Sequence, residues 1–285
     1  MCENICMAIF TPRPPAVAAL FTALAACVPS LPQDRTPTAS ATARVPGATA
    51  TASASASRAT RGAARSVEEE NDLYEFKYSW PATAGAVPAL AQELERRMTK
   101  LRDEMAGEAR TFREEATGDG FPYHAYSYEG AWEVVADTPR FLSLSHAFYV
   151  YTGGAHGNSG MDALVWDRET GREVPVLDFF TSPAALEGAL GKPFCDGLNA
   201  ERRKRRGADY RPDPSDLFGG CPKLAELTVL LGSANGRTFD RIGLYAGPYV
   251  AGPYVEGAYE VTVPVTPAVL TAVKPEYRGA FALRR

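Results

Sequence analysis

Two histidines and one carboxylate are the residues in this chain that could do chemistry together. His146 and His156 lie ten residues apart, and Asp162 follows six residues later. Brought together, they could supply a general base or ligate a metal ion. No nucleophile elbow, paired-carboxylate signature or metal-ligand spacing accompanies them. A hydrolase is therefore the minor hypothesis. The favoured interpretation is that His156 bonds within its own loop, and no metal or other cofactor is expected.

The loop that carries His156 has the features of a binding segment. A run of strand-forming residues at 148–151 ends in two glycines, after which a histidine and an asparagine follow. Polar groups at the end of a rigid element are often part of a binding site. The candidate binding residues in this segment are Tyr151, Gly153, Gly154, His156 and Asn158.

A tandem repeat supplies a second candidate binding segment. Ala-Gly-Pro-Tyr-Val occurs at residues 246–250 and again at 251–255. Gly-Pro pairs hold an extended, turning backbone that cannot fully join a sheet. The repeat therefore presents Tyr249 and Tyr254 outward or packs them over a sheet. Exposed tyrosines suit a binding surface.

Periodicity predicts the elements that position these segments. Aromatic and polar residues alternate over 74–80, as in a half-buried strand. Apolar residues recur every three or four positions over 86–116, which predicts an amphipathic helix. Strands are expected at 123–128, 131–136, 140–152, 161–167, 226–231, 237–245 and 259–264, with a hairpin turn at Asn235-Gly236. A second helix begins at Ser182-Pro183 and ends in a basic run at 202–206, which either complements the helix dipole or forms an anion site.

These elements predict an α+β fold with antiparallel sheets, each packed with a helix, in two consecutive modules at 67–158 and 159–285. Residues 27–66 precede them as a disordered tether. Within 36–65, 11 of 30 residues are Ala, 10 are Ser or Thr, and none is acidic. Such a segment has too little apolar bulk to offset chain entropy.

The N-terminus predicts export. An apolar stretch of 11 residues at 16–26 is too short to span a bilayer and matches the core of a signal peptide. It ends in Leu-Ala-Ala-Cys, which resembles a lipobox, so residues 1–26 would be removed and Cys27 lipidated. The alternative is an ordinary signal peptide cut near Ala26. Translation could start at Met1 or Met7. The expected product is a lipoprotein held on a bilayer through Cys27, facing the periplasm or the cell exterior.

Cysteine usage and net charge agree with this location. Once the signal and the lipidated residue are set aside, Cys195 and Cys221 remain as an even pair in an oxidising compartment, which predicts a disulfide. Two unrelated buried thiols are the alternative. The formal charge of −4 shows no basic bias, so nucleic acid is not an expected partner.

Two sequence motifs resemble paired envelope modules called DUF4163 and DUF3298. The first is Tyr-Thr-Gly-Gly-Ala-His at 151–156, followed by a strand, a Thr-Gly turn and Leu-Asp-Phe-Phe at 177–180. The second is the Tyr, Gly-Pro-Tyr and Tyr-Glu-Val pattern at 249–264. The resemblance covers about residues 70–280. In that family the modules form the lysozyme-binding part of an anti-sigma factor of bacilli, and they precede the catalytic domain of some peptidoglycan deacetylases.

Three classes of function are therefore consistent with the sequence. The favoured one is a non-catalytic envelope module that binds a lysozyme-like protein or peptidoglycan. A deacetylase-related hydrolase using His156 and a purely structural envelope protein are the alternatives.

Overall fold

A computed structural model describes residues 62–284 of the chain. The predicted signal peptide, Cys27 and most of the predicted tether lie outside the described residues. In the part of the chain that is described, no helix has the length and apolar character needed to cross a membrane.

The first sheet has six strands in the order β1 to β6. Strands β2 and β3 are parallel, and the other neighbours are antiparallel. A short helix and a long helix connect the parallel pair. The elements are β1 Arg65–Glu70, β2 Tyr74–Trp80, α1 Ala82–Gly85, α2 Pro88–Gly118, β3 Tyr126–Asp137, β4 Phe141–Tyr151, β5 Asn158–Asp167 and β6 Arg172–Glu173.

Helix α2 covers one face of this sheet. Its buried residues include Leu90, Leu94, Met98 and Met105, at the three- and four-residue steps seen in the sequence. They pack on the aromatic side chains that alternate along β2 and β3 in one apolar cluster. The predicted strand at 74–80 and the predicted helix are therefore confirmed.

The opposite face of the first sheet is open along β1, β2 and the first half of β3. Its exposed side chains are strongly acidic, and Glu70 lies directly opposite Glu75 in the strand register. Lys77 lies between Glu68 and Glu129. The exposed glutamates of this acidic face are Glu68, Glu70, Glu75, Glu129 and Glu133.

The described chain after β6 contains a second sheet, of three antiparallel strands in the order β7, β8, β9. Its elements are α3 Pro183–Arg206, β7 Thr228–Gly232, β8 Arg241–Ala246, β9 Tyr259–Pro264 and α4 Pro267–Ala272, with short 3-10 helices at Val176–Phe179, Leu224–Glu226, Tyr254–Glu256 and Pro275–Ala280. Helix α3 packs on β9, and β7 contacts β3, β4 and β5. A second apolar cluster, which includes Phe141 and Val165 of the first sheet, fills the space between these elements.

Local sequence signals account for the ends of α3. Ser182 caps the helix by accepting a hydrogen bond from the Ala185 amide at 3.0 Å, and Pro183 occupies the first turn. The predicted disulfide is confirmed: Cys195 on α3 is bonded to Cys221. The α+β fold of two helix-bearing sheets is likewise confirmed.

The structure differs from the prediction at four places. The strands expected at 123–128 and 131–136 are one strand, β3. Strand β1 was not predicted, and it begins at Arg65, inside the segment assigned to the tether. Strand β8 begins at Arg241 because residues 233–238 form the hairpin loop. The first sheet is also not wholly antiparallel, because α2 crosses between β2 and β3 and makes them parallel.

Strand β3 continues through Gly130, although glycine usually weakens a strand. A Cβ atom there would lie 2.5 Å from His146 Nε2 and 2.8 Å from the Tyr128 ring. The glycine therefore makes room for two large neighbours on the α2 side of the sheet.

We predict that Gly130→Ala lowers the free energy of unfolding by about 1–3 kcal/mol, because the added methyl group overpacks the core. Urea unfolding measures the change. The matched control is Gly188→Ala on the exposed side of α3, where nothing lies within 4 Å of the new Cβ. That control should be neutral or stabilising by up to about 1 kcal/mol. Equal stability of Gly130→Ala and wild type would contradict the assignment.

Candidate functional site

The two predicted binding segments meet in space. The His156 ring stacks on the Tyr254 ring, with 4.0 Å between centroids and an interplanar angle of 24°. Tyr254 in turn stacks with Tyr249 at 5.6 Å and 30°. His156 and Tyr249 are 93 residues apart in the chain. We call His156, Tyr249 and Tyr254 the aromatic surface.

One backbone carbonyl organises the hydrogen bonds of the aromatic surface. The Gly157 carbonyl oxygen accepts from His156 Nδ1 at 2.8 Å and from the Tyr254 hydroxyl at 2.9 Å. Because a carbonyl can only accept, Nδ1 carries a proton. In the neutral imidazole, Nε2 then accepts from the Tyr249 hydroxyl, 3.4 Å away. All three side chains are thus held by hydrogen bonds as well as by stacking.

Gly157 itself has no room for a side chain. A Cβ atom there would lie 2.3 Å from the Tyr149 ring and 2.6 Å from the Val150 carbonyl oxygen. Tyr149, on β4, is partly exposed and extends the aromatic surface toward the acidic face. Neither residue was among the candidates predicted from the sequence, although the glycine beside His156 was a signal of close packing.

Tyr249 adopts an unusual backbone conformation. Among residues 62–284 it is the one non-glycine residue with a positive φ, at 68°. A bulky residue in this region costs on the order of 1–3 kcal/mol and is retained where the surroundings enforce it. The Tyr249 side chain is nevertheless 52% exposed. Strain maintained at an exposed aromatic residue points to a role outside the core.

The remaining predicted residues form the turn between β4 and β5. Gly153 has a positive φ of 85°, and a Cβ atom there would lie 2.8 Å from the Phe112 ring of α2. Tyr151 ends β4 opposite Ser127, and Asn158 begins β5 opposite Val150. Gly154 is exposed in the turn. Across residues 62–284, no hydrogen bond or ring contact joins Tyr151 or Asn158 to the aromatic surface.

The last turns of α3 hold the tandem repeat in place through hydrogen bonds. The buried guanidinium of Arg202 donates to the Ala251 carbonyl oxygen through Nη2 at 2.8 Å and Nε at 3.2 Å. Arg206, one turn later, pairs with Glu256 through two hydrogen bonds of 2.7 and 2.8 Å. Two members of the basic run at 202–206 therefore have a structural role, through contacts to the repeat that neither interpretation predicted.

The Arg206–Glu256 pair shifts the pKa values of both of its side chains. The Arg206 guanidinium, helped by the Tyr259 hydroxyl 2.6 Å away, holds the pKa of the Glu256 carboxyl below its usual value. The same pair raises the pKa of Arg206. Ionised Glu256 thus fixes the 3-10 turn that carries Tyr254.

His146 lies in a different environment from His156. It is 4% exposed and stacks on Trp132, with 4.6 Å between centroids and an angle of 11°. Its ring nitrogens lie 3.4 Å from the Tyr128 hydroxyl and 3.5 Å from Asp162 Oδ2. Burial raises the pKa of nearby Tyr78 to about 12, so the Tyr78 hydroxyl stays neutral and accepts from the Trp132 indole at 2.6 Å. His146 is part of an aromatic core.

The proposed His146–His156–Asp162 set is therefore not assembled. Asp162 contacts His146, whereas His156 contacts Gly157 and the two tyrosines of the aromatic surface. In the described region, no group of three or more His, Cys, Asp or Glu residues is arranged to hold a metal ion. The arrangement around His156 is a surface with fixed aromatic rings and hydrogen-bonding groups.

Comparison with known families bears out the resemblance seen in the sequence. Residues 67–159 match the family model described as deacetylase PdaC. The start of the folded region is thus similar to that family. No curated protein matches the chain at a significant level.

Two solved structures that resemble the chain are described as DUF3298 family proteins. The one from Bacteroides fragilis NCTC 9343 is 17% identical with a TM-score of 0.46, and the match covers 70% of this chain and 88% of the other. The one from Pseudomonas aeruginosa PAO1 is 17% identical with a TM-score of 0.42, covering 78% and 97%.

The Arg206–Glu256 pair should make stability depend on pH. Because the folded-state pKa of Glu256 is depressed, its contribution is present above the unfolded pKa of about 4.3 and is lost as pH falls through the folded pKa. We expect Glu256→Gln to lower the free energy of unfolding at pH 7 and to have a smaller effect in the acid range. Denaturant unfolding of both proteins from pH 7 to pH 3 measures this. A difference that is constant over pH would contradict it.

Proposed function

We propose that this chain is a non-catalytic binding module of the cell envelope that recognises a macromolecule through the aromatic surface, with a lysozyme-like protein as the first candidate. The observation that carries the proposal is the strained, half-exposed Tyr249, stacked on Tyr254 and bonded to His156. Such an arrangement has a clear use in binding and no evident use in holding the core together.

Preorganisation is the physical advantage of this arrangement. Binding is weakened whenever it must immobilise side chains at the interface, at a cost of about 0.5–1.5 kcal/mol for each flexible one. The hydrogen bonds to the Gly157 carbonyl hold His156 and Tyr254 before any ligand arrives. Tyrosine is also among the residues that contribute most to protein interfaces.

Exposed apolar side chains near the aromatic surface favour a protein ligand. Val255 follows Tyr254 directly and is 89% exposed. Tyr149 packs against Gly157 and is also partly exposed. Together with the tyrosine rings these side chains supply the apolar contacts that the centre of a protein interface uses.

Peptidoglycan is the second candidate ligand. The exposed Tyr249 ring offers a flat apolar surface on which a sugar ring can pack, and hydroxyl and imidazole groups beside it can bond sugar hydroxyls. The match of residues 67–159 to a deacetylase family model gives some support to a carbohydrate ligand.

Export and lipid anchoring are part of the same proposal. The Cys195–Cys221 disulfide supports an oxidising compartment, where such bonds form and persist. The sequence features at 1–27 support a signal peptide followed by a lipidated Cys27, and residues 28–61 would let the folded region reach away from the bilayer.

We predict that Tyr249→Ala and Tyr254→Ala each weaken binding by about 10- to 100-fold, as expected for interface residues worth about 1.4–2.8 kcal/mol. The chain from Val28 to Arg285 is tested for retention on purified peptidoglycan and for binding to immobilised lysozyme. The ligand that retains the wild-type protein is then titrated against each variant.

Leu177→Ala is the control, because Leu177 is a 44% exposed apolar residue that follows the end of β5 opposite to Asn158. It should leave the affinity unchanged. Failure of the wild-type chain to bind either ligand would remove both candidates. Binding that survives both tyrosine substitutions would place the contact elsewhere on the molecule.

A further inference from the structure

We propose that the Cys195–Cys221 disulfide acts, through Asn199 and Arg202, on the conformation of the tandem repeat, so that opening the disulfide with a dithiol loosens the aromatic surface. The effect on the conformation of the repeat is inferred from the contacts of Asn199 and Arg202. The expected loss of ligand binding rests in addition on the proposed function.

The residues involved form one stripe along α3. Cys195, Asn199, Arg202 and Arg206 follow each other at steps of four, three and four, which places them on the same face of the helix. Asn199 Nδ2 lies 3.6 Å from Cys195 Sγ and 4.0 Å from Cys221 Sγ. Its Oδ1 accepts from Arg202 Nη1 at 3.2 Å. The amide thus bridges the disulfide and the guanidinium.

Arg202 joins two loops that are otherwise separate in the chain. It donates to the Gly219 carbonyl oxygen at 3.3 Å, within the loop that the disulfide closes. It also donates to the Ala251 carbonyl oxygen, within the tandem repeat. Gly219 lies two residues before Cys221, so the disulfide fixes the position of this carbonyl group.

The guanidinium is sensitive to the loss of any acceptor. Arg202 is 0% exposed, and its hydrogen-bond acceptors are two backbone carbonyls and one side-chain amide, with no carboxylate among them. Burial lowers the pKa of Arg202, which reflects the cost of holding its charge there. A buried cation that loses an acceptor must draw in water or move. Either response disturbs the carbonyl of Ala251.

The disulfide is open to attack from solvent. Cys221 is exposed, whereas Cys195 is half-buried on α3. Between residues 207 and 220, Gly219 is the one buried residue. This loop therefore contributes little packing of its own, and its position depends on the disulfide, on Arg202 and on the Tyr210 ring, which lies 4.9 Å from the Arg206 guanidinium.

The reaction is a thiol–disulfide exchange with an external dithiol. One thiolate of the dithiol attacks Cys221 Sγ, the bond to Cys195 breaks, and Cys195 leaves as a thiolate that takes up a proton. The second thiol of the reagent then attacks the mixed disulfide and releases Cys221. Two electrons and two protons pass to the protein, and the dithiol becomes a disulfide.

Hydrogen exchange of the whole chain, with and without dithiothreitol, tests the coupling directly. The reporters are the amides of Val250, Glu256 and Gly257, whose acceptors are the carbonyls of Gly247, Pro253 and Tyr254. We expect their exchange to accelerate at least tenfold on reduction. Affinity for whichever ligand the chain binds should fall by a similar factor. Accelerated exchange confined to residues 207–221 would overturn the proposal.

Two variants separate coupling from general destabilisation. Asn199→Ala removes the amide between the disulfide and Arg202 while leaving both sulfurs in place, so reduction should have a smaller effect on residues 247–257 than in wild type. Cys195→Ser with Cys221→Ser should reproduce the reduced state and show no response to dithiothreitol. A response of the Asn199 variant equal to that of wild type would exclude the amide route. Changed exchange without any ligand binding would uphold the coupling and contradict the proposed function alone.

Discussion

The close approach of the Gly157 backbone to its surroundings is the constraint on which the candidate site depends. The absence of a side chain lets the Tyr149 ring pack against this peptide, and its carbonyl oxygen receives hydrogen bonds from His156 and Tyr254. The Tyr254 bond joins the hairpin of the first sheet to the tandem repeat that follows β8. The His156 ring stacks on Tyr254 at this junction, and Tyr254 stacks on Tyr249.

Charge and packing hold the tandem repeat from the other side. Arg202 is buried and donates its hydrogen bonds to carbonyl groups, and Arg206 is paired with Glu256. The repeat therefore lies between a helix that donates hydrogen bonds to its backbone and a hairpin that accepts them from its tyrosine side chains. A short segment without regular sheet structure can be well ordered under these conditions, because its polar groups have partners within the protein.

Sequence patterns predicted the elements with strong periodicity, and they pointed to the two segments that meet at the aromatic surface. The strand at 74–80, helix α2, the Ser182 cap and the disulfide all follow from local rules. The contact between His156 and Tyr249 depends on how the β4–β5 turn packs against the tandem repeat, which no local pattern encodes. Likewise, the basic run at 202–206 has the same composition whether Arg202 is buried or solvated. The predicted strands at 123–128 and 131–136 left out Gly130, because the room that this glycine makes for His146 and Tyr128 depends on how the sheet is packed.

The acidic face of the first sheet affects how copies of this protein can approach one another. An open sheet face of alternating small and apolar residues would offer a surface on which a second sheet could stack. Here two such faces would bring two sets of glutamates together, with Glu70 and Glu75 already adjacent within each. Their mutual repulsion opposes sheet-on-sheet stacking and keeps this side of the domain hydrated.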